Sequence, residues 1–299
     1  MALVRVRMTT GLRAASESWA WIGAQAGIFR KHGLEVDFPR LEVGGPEAAE
    51  GLVRGEWDFV QTGVAPIVEA VLNGGDPVIL LRNNAPSSNI VVMTRSDGLK
   101  ALQGKSVGVL TEAGQTTIIA RMAVEREGAS AQYIPLGTYK NIFEALIEGR
   151  IDAGALPIDY RFIGETRYGI RAYETGVSSL PTIFAATRRL VAANRETAIN
   201  SVRAFVETLH VIRTRPDAVV LHLQRFLGFD DERAVRRLRD HYSGLLPVVP
   251  RARLGEGVST LRELFLSKYP SANELTEQKI VDDSIIDEVE RSGFIAALT

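Results

Sequence analysis

The chain has 299 residues, 45% of them hydrophobic and 24% charged, the proportions of an ordinary water-soluble globular protein with room for one large or two medium domains. Its 35 basic and 36 acidic side chains give a net charge of -1, with no long basic run and no basic patch studded with aromatics, which argues against a nucleic-acid partner. Zero cysteines exclude disulfides, thiolate metal sites and cysteine nucleophiles together.

The opening MALVRVRMTTGLRA lacks the roughly 7–15 apolar residues of a signal-peptide core. No stretch approaches the roughly 18 apolar residues of a membrane span. The sequence as written therefore reads as cytoplasmic and not membrane-embedded, or as periplasmic if a leader was removed before this numbering begins.

In chain order, residues 5–8 read as a first strand. Residues 17–32 carry helical spacing through Trp21, Ala24 and Ile28, and Gly33 closes that helix. Residues 34–43 alternate as a second strand, 47–54 form a short helix stopped by Gly55, and 57–61 form a third strand. Pro66 opens a helix that ends at Gly74 and Gly75, and 78–81 make a fourth strand. This βαβαβαβ rhythm belongs to a mostly parallel sheet.

A further strand, 89–94, precedes a restart of the pattern at Leu99. There follow a strand at Val107, a helix over 115–128, a strand over 133–136, a helix through Leu146 and a strand over 151–156, which together suggest a second lobe. Residues 181–186 read as a return strand, and from Arg195 onward the chain is almost all helix, expected to pack on the first lobe. Residues 198–214 are its clearest helix, interrupted at Pro216. The basic cluster 233–239, broken by Ala234, Val235 and Leu238, reads as a solvated helix face.

The stretch VGVLTEAGQTT (107–117) is the centre of the pattern: a short buried strand, a glycine-bearing turn and a helix N-terminus whose free backbone N–H groups suit an anion. Similar turns follow at 8–11, 44–47, 62–65 and 137–141. In an open α/β sheet such turns converge on one crevice at the strand carboxyl ends. Taken singly, each more readily serves the bend alone, and the reading rests on several turns together and on their order.

The segments AQAGIFRKHGLEVDF, GLVRGEWDFVQTGVAPIVEAVLNGGDPV, LKALQGKSVGVL and FEALIEGRIDAGAL, in that order and spacing, resemble the type II periplasmic-binding-protein fold. Within it they resemble the branch of sulfonate, taurine and nitrate binding proteins and NMT1/THI5-like proteins. The resemblance covers residues 8–158, with a weaker match in the tail. It implies two α/β lobes, 1–87 plus 187–299 and 88–186, with a helical C-terminal region. It further implies two hinge crossings, near 87–91 and 179–183, and a ligand cleft that closes between the lobes.

Candidate ligand residues of the first lobe are Gly11, Arg13, Ser16, Trp19, Gly45, Thr62, Gly63 and Asn83. Arg13 offers a planar fork to a carboxylate or sulfonate, or is a solvated loop residue. Trp19 or Trp21 walls the cleft or packs in a helix core. Thr62 and Gly63 sit where the resembled family commonly holds ligand, and Gly63 allows close backbone approach. Asn83 and Asn84 offer amides or make a turn.

In the second lobe the candidates are Thr111, Gln115, Thr116, Thr117, Tyr139, Asp159 and Tyr160, as donors beside free N–H groups or as capping and loop residues. Glu112 sits oddly for an anion site, since it would repel an anionic ligand. The leading expectation is an ABC-transporter solute-binding protein, without cofactor or metal. It would hold a small organic acid, sulfonate or heteroaromatic compound, with a permease as partner. The alternative is an enzyme on the same fold, decarboxylase-like or of pyrimidine-precursor biosynthesis, with Glu112 or Asp159 for acid–base work. The four histidines, His32, His210, His222 and His241, fall on expected helices, away from the turns.

Overall fold

The computed structural model describes residues 2–84, 89–112, 115–177, 180–215 and 217–298, with Gln115 described in its backbone alone. In chain order these form β1 (Val4–Thr10), α1 (Trp19–Gln25), α2 (Ile28–Lys31), β2 (Leu34–Asp37), α3 (Gly45–Arg54), β3 (Phe59–Gly63), α4 (Val64–Leu72), β4 (Pro77–Arg82) and β5 (Ile90–Thr94). Next come β6 (Ser106–Val109), α5 (Gln115–Arg126), β7 (Gln132–Pro135), α6 (Tyr139–Ile147), β8 (Ala153–Pro157), α7 (Asp159–Tyr168), β9 (Arg171–Glu174) and β10 (Thr182–Thr187). The remainder is α8 (Arg188–Ala193), α9 (Arg195–Thr214), α10 (Asp217–Leu227), α11 (Glu232–Ser243), α12 (Gly257–Leu266), α13 (Glu277–Ile280), α14 (Ser284–Arg291) and α15 (Phe294–Leu298).

The chain divides into two units, one of Met1–Ala85, Leu180–Glu232 and Arg239–Thr299, the other of Pro86–Ser179 with Arg233–Leu238. The first holds a sheet of order β2-β1-β3-β10-β4. β1 runs parallel to β2 and β3, and the return strand β10 enters antiparallel between β3 and β4. On one face Val60, Ile67, Val68, Ile79, Ile183, Leu261 and Phe265 form a buried core. Elsewhere in the unit Phe184 stacks on Phe59 at 5.2 Å and on Phe205 of α9 at 4.9 Å. α9 also packs against α1, α2, α14 and α15.

The second unit holds a sheet of order β7-β6-β8-β5-β9, with β6 parallel to β7 and β8 and β5 antiparallel to β8 and β9. Val92, Val107, Val109, Ala120, Val124, Ala153 and Ala155 fill its core.

Several expectations are corrected. The helix read over 17–32 is a 3-10 turn (Ala15–Glu17) followed by α1 and α2, broken at Gly27, whose φ of +76° ends one helix and starts the next. His32 lies just past α2. The second strand ends at Asp37. The C-terminal helices do not all join the first unit, because residues 233–238 of α11 group with the second. Nor is the basic cluster a wholly solvated face: Ala234, Val235 and Leu238 are buried, and Arg237 lies over the Phe162 ring at 5.3 Å and pairs with Glu165 at 3.5 Å. Of the expected hinge crossings, residues 87, 88 and 179 lie outside the described residues. So do residues 113 and 114 of the central stretch, and Pro216.

Candidate functional site

Within the first unit the candidates gather where β1, β3 and β4 end. Gly11 donates its N–H to the Gln61 carbonyl at 2.9 Å, and Gly44 donates to the Gly11 carbonyl at 2.8 Å. A side chain at Gly11 would put its Cβ 2.6 Å from Thr62 Oγ1 and 3.2 Å from Gly45 Cα. At Gly45 a Cβ would fall 2.7 Å from the Pro66 ring. The glycines therefore let three chain segments meet at the strand ends, which accounts for their place in the sequence. Glu42, with φ +58°, is the one non-glycine residue of positive φ among the described residues, and it immediately precedes this crossing.

The turn after β1 is held by groups distant in sequence. Glu17, buried, accepts the Leu12 N–H at 2.7 Å. Asn83 Nδ2 donates to the Ser16 carbonyl at 2.8 Å. The Thr182 hydroxyl lies 3.0 Å from both that carbonyl and Asn84 Oδ1, and its single proton serves one of them. Gln61 Oε1 accepts the Ala20 N–H at 2.7 Å. The bonds to the Ser16 carbonyl and from the Ala20 N–H fix which end of the Asn83 and Gln61 amides is oxygen.

The remaining ends of the same amides, Gln61 Nε2 and Asn83 Oδ1, are buried with no protein partner among the described residues, as is Trp19 Nε1. Such atoms need a partner from elsewhere, water or ligand, to recover the cost of leaving bulk solvent. Trp19 itself is fully buried and meets Tyr242 edge-on at 5.5 Å, while Trp21 packs on Phe226 at 5.5 Å. Arg13 is exposed. Thr62 is buried, and Gly63 ends β3 as the residue preceding α4.

Two residues of this end escape the sequence reading. Gln61 looks like an ordinary strand position, because its bond to Ala20 spans 41 residues. Arg82, the last residue of β4, is half-buried with its Nε sealed from solvent and unpartnered among the described residues.

Within the second unit the candidates sit where β6, β7 and β8 give way to α5, α6 and α7. Thr111 and Glu112 are exposed. Thr117 Oγ1 donates to the Thr111 carbonyl at 2.5 Å, tying the first turn of α5 to the strand end. The Thr116 hydroxyl and Tyr139 Oη are 3.1 Å apart and buried. Thr138 caps α6 by accepting the Asn141 N–H at 3.1 Å. Tyr139, Asp159 and Tyr160, read as turn residues, open α6 and α7. Asp159 is buried, and Tyr160 lies 6.5 Å from the Tyr139 ring and 5.0 Å from Phe143. The Gln115 side chain lies outside the described residues.

Lys140 and Arg161, next to this set, pair with Glu144 and Glu165 on their own helices. Among the described residues no three His, Asp or Glu side chains come together as metal ligands, and no helix is long and apolar enough to cross a membrane.

Two sheets of this order and connectivity place the chain in the type II periplasmic-binding-protein fold class. Among solved structures, the periplasmic aliphatic sulphonate binding protein SsuA from Escherichia coli matches at 18% identity over 92% of this chain and 91% of that one, with a TM-score of 0.71. The alkanesulfonate-binding protein SsuA from Xanthomonas axonopodis pv. citri, bound to MOPS, matches at 14% over 96% and 98%, TM-score 0.69. The periplasmic nitrate-binding protein NrtA from Synechocystis PCC 6803 matches at 10% over 97% and 89%, TM-score 0.69. The NMT1/THI5 like family profile matches residues 20–218, and the chain belongs to that family. No curated protein sequence matches it significantly.

Proposed function

We propose that this protein is a solute-binding protein of the ABC-import type, holding one small organic solute between the two turn sets without altering it. The observation that carries the reading is the pair of buried amide ends, Gln61 Nε2 and Asn83 Oδ1, left without protein partners at the carboxyl end of the first sheet while their other ends are locked. A donor and an acceptor kept in reserve beside glycine-only backbone crossings suit a polar ligand that completes the network. Family membership and the sulfonate- and nitrate-binding relatives support it.

On this reading Gly11, Arg13, Ser16, Trp19, Gly45, Thr62, Gly63 and Asn83 serve from the first lobe, residues 1–87 plus 187–299. Thr111, Gln115, Thr116, Thr117, Tyr139, Asp159 and Tyr160 serve from the second, residues 88–186. Hinge closure brings the two sets onto the solute and excludes water, which strengthens every polar bond to it. A membrane permease is the matching partner, and the periplasmic relatives support an extracytoplasmic place of action.

A thermal-shift panel of alkanesulfonates, aromatic carboxylates, pyrimidines and nitrate tests this, with mass spectrometry of each hit after incubation. A bound solute raises the melting temperature by mass action and is recovered with its mass unchanged. A hit recovered lighter by a lost group would make the protein an enzyme, and a panel without hits would remove solute binding.

A further inference from the structure

Arg82 is placed by the sheet register. Ile183 of β10 pairs with Thr62 of β3 on one side and with Arg82 of β4 on the other. Directly paired residues of antiparallel strands project to the same face, so Thr62, Ile183 and Arg82 form one row across three strands. Two strand spacings put the outer members about 10 Å apart, within reach of an arginine side chain and a small ligand together. Thr62 lies at the crossing of Gly11 and Gly45, so the row ends at the ligand turns. The middle residue, Ile183, is fully buried in the core on that face.

The chemistry at Arg82 is unfinished. Its backbone N–H is satisfied by the Pro250 carbonyl at 3.0 Å, but among the described residues its Nε is buried and unpartnered and its guanidinium has no hydrogen bond or ion pair. A guanidinium cannot shed its charge, so partial burial without an acceptor is costly unless an anion arrives. Three other half-buried arginines are answered, Arg251 by Asp287 and Glu290, Arg161 by Glu165, and Arg262 by the Leu275 carbonyl, while Arg203, whose Nε is likewise unpartnered, lies over the Phe294 ring at 5.9 Å. Arg13, the basic residue expected from the sequence to hold an anion, is exposed and keeps its water.

We infer that Arg82 holds the anionic head of the solute, which is therefore a small organic oxyanion, a sulfonate or a carboxylate, gripped by the planar fork. This rests on the solute-binding reading above and narrows its ligand class.

Calorimetric titration with butane-1-sulfonate, butyrate and the neutral butyramide, beside cytosine as a neutral heterocycle, tests it. Wild-type protein binds at least one of the two anions and not butyramide. Arg82→Gln weakens that binding by at least about 30-fold, and Arg82→Lys, which keeps the charge but loses the fork, by about 10-fold. Arg5→Gln, in an exposed pair with Asp37, changes it less than about 3-fold. Without ligand, Arg82→Met melts no lower than wild type, because it removes an unanswered charge. Undiminished anion binding by Arg82→Gln, or a melting temperature of Arg82→Met well below wild type, overturns the assignment. Wild-type binding of cytosine with neither anion overturns it too, while leaving solute binding in place. Failure of every compound in the wider panel would instead remove the solute-binding reading itself.

Discussion

Gly11 shows what a single position contributes. A methyl group there would lie 2.6 Å from a hydroxyl and 3.2 Å from a backbone carbon, so the β1 turn and the start of α3 would have to separate. Gly11→Ala is accordingly expected to cost about 1–3 kcal/mol in denaturant unfolding, as overpacking does. It should also weaken solute binding, since Thr62 must rotate to make room. Stability and affinity both equal to wild type would mean that the glycine is dispensable. This glycine was legible in the sequence as a turn after a strand, as was Asn83, whereas Thr62 and Gly63, read as a turn, are the last residues of β3 itself. Gln61, Glu17 and Arg82 were not. Their importance comes from partners, or missing partners, that only the register of β1, β3, β4 and β10 brings into place.

Elements with strong punctuation could be read from the chain. Gly55 at φ +77° stops α3, Gly128 at +73° follows α5, and Gly33 at +77° follows α2. The break at Gly27 was hidden because apolar spacing runs on through Ile28 on both sides of it. β9, with the sequence Arg-Ala-Tyr-Glu, has too little alternation to announce a strand, and it exists because β5 offers it an edge. The long helix α9 sets a pH response.

His210 on α9 is held below its ordinary pKa by burial, then by Arg213 and Arg215; His222 on α10, edge-on to Trp21, is lowered by burial and then by Arg225. Folding thus favours their neutral forms, while the unfolded chain takes up protons near pH 6.5. The unfolded state binds more protons below that point, so stability is present above about pH 6.5 and declines as the pH falls. At lower pH Glu207 adds to the loss. Burial raises its pKa, but hydrogen bonds from Lys31 at 2.6 Å and His32 at 2.7 Å outweigh that and hold it below the usual carboxylate value. Its stabilisation is present above the unfolded carboxylate pKa and lost as the pH drops through the folded one. The denaturation midpoint should therefore fall between pH 7 and pH 5, and His222→Phe should flatten that fall. An unchanged midpoint over this range, or an unchanged slope in the variant, would contradict the assignment.

At the scale of the whole molecule, the near-neutral charge and the absence of basic runs agree with a small solute rather than a polyanion as ligand. The two sheets and the family were readable because four segments keep their order and spacing. The grouping of residues 233–238 with the second unit was not, since no local pattern says on which body an amphipathic helix buries its apolar stripe. The proposed function has both turn sets grip one solute by closure. Small-angle X-ray scattering with and without a saturating hit from the thermal-shift panel tests it most directly. Closure predicts a smaller radius of gyration with ligand bound; an identical scattering curve at proven saturation would contradict it, leaving a solute held by one unit alone.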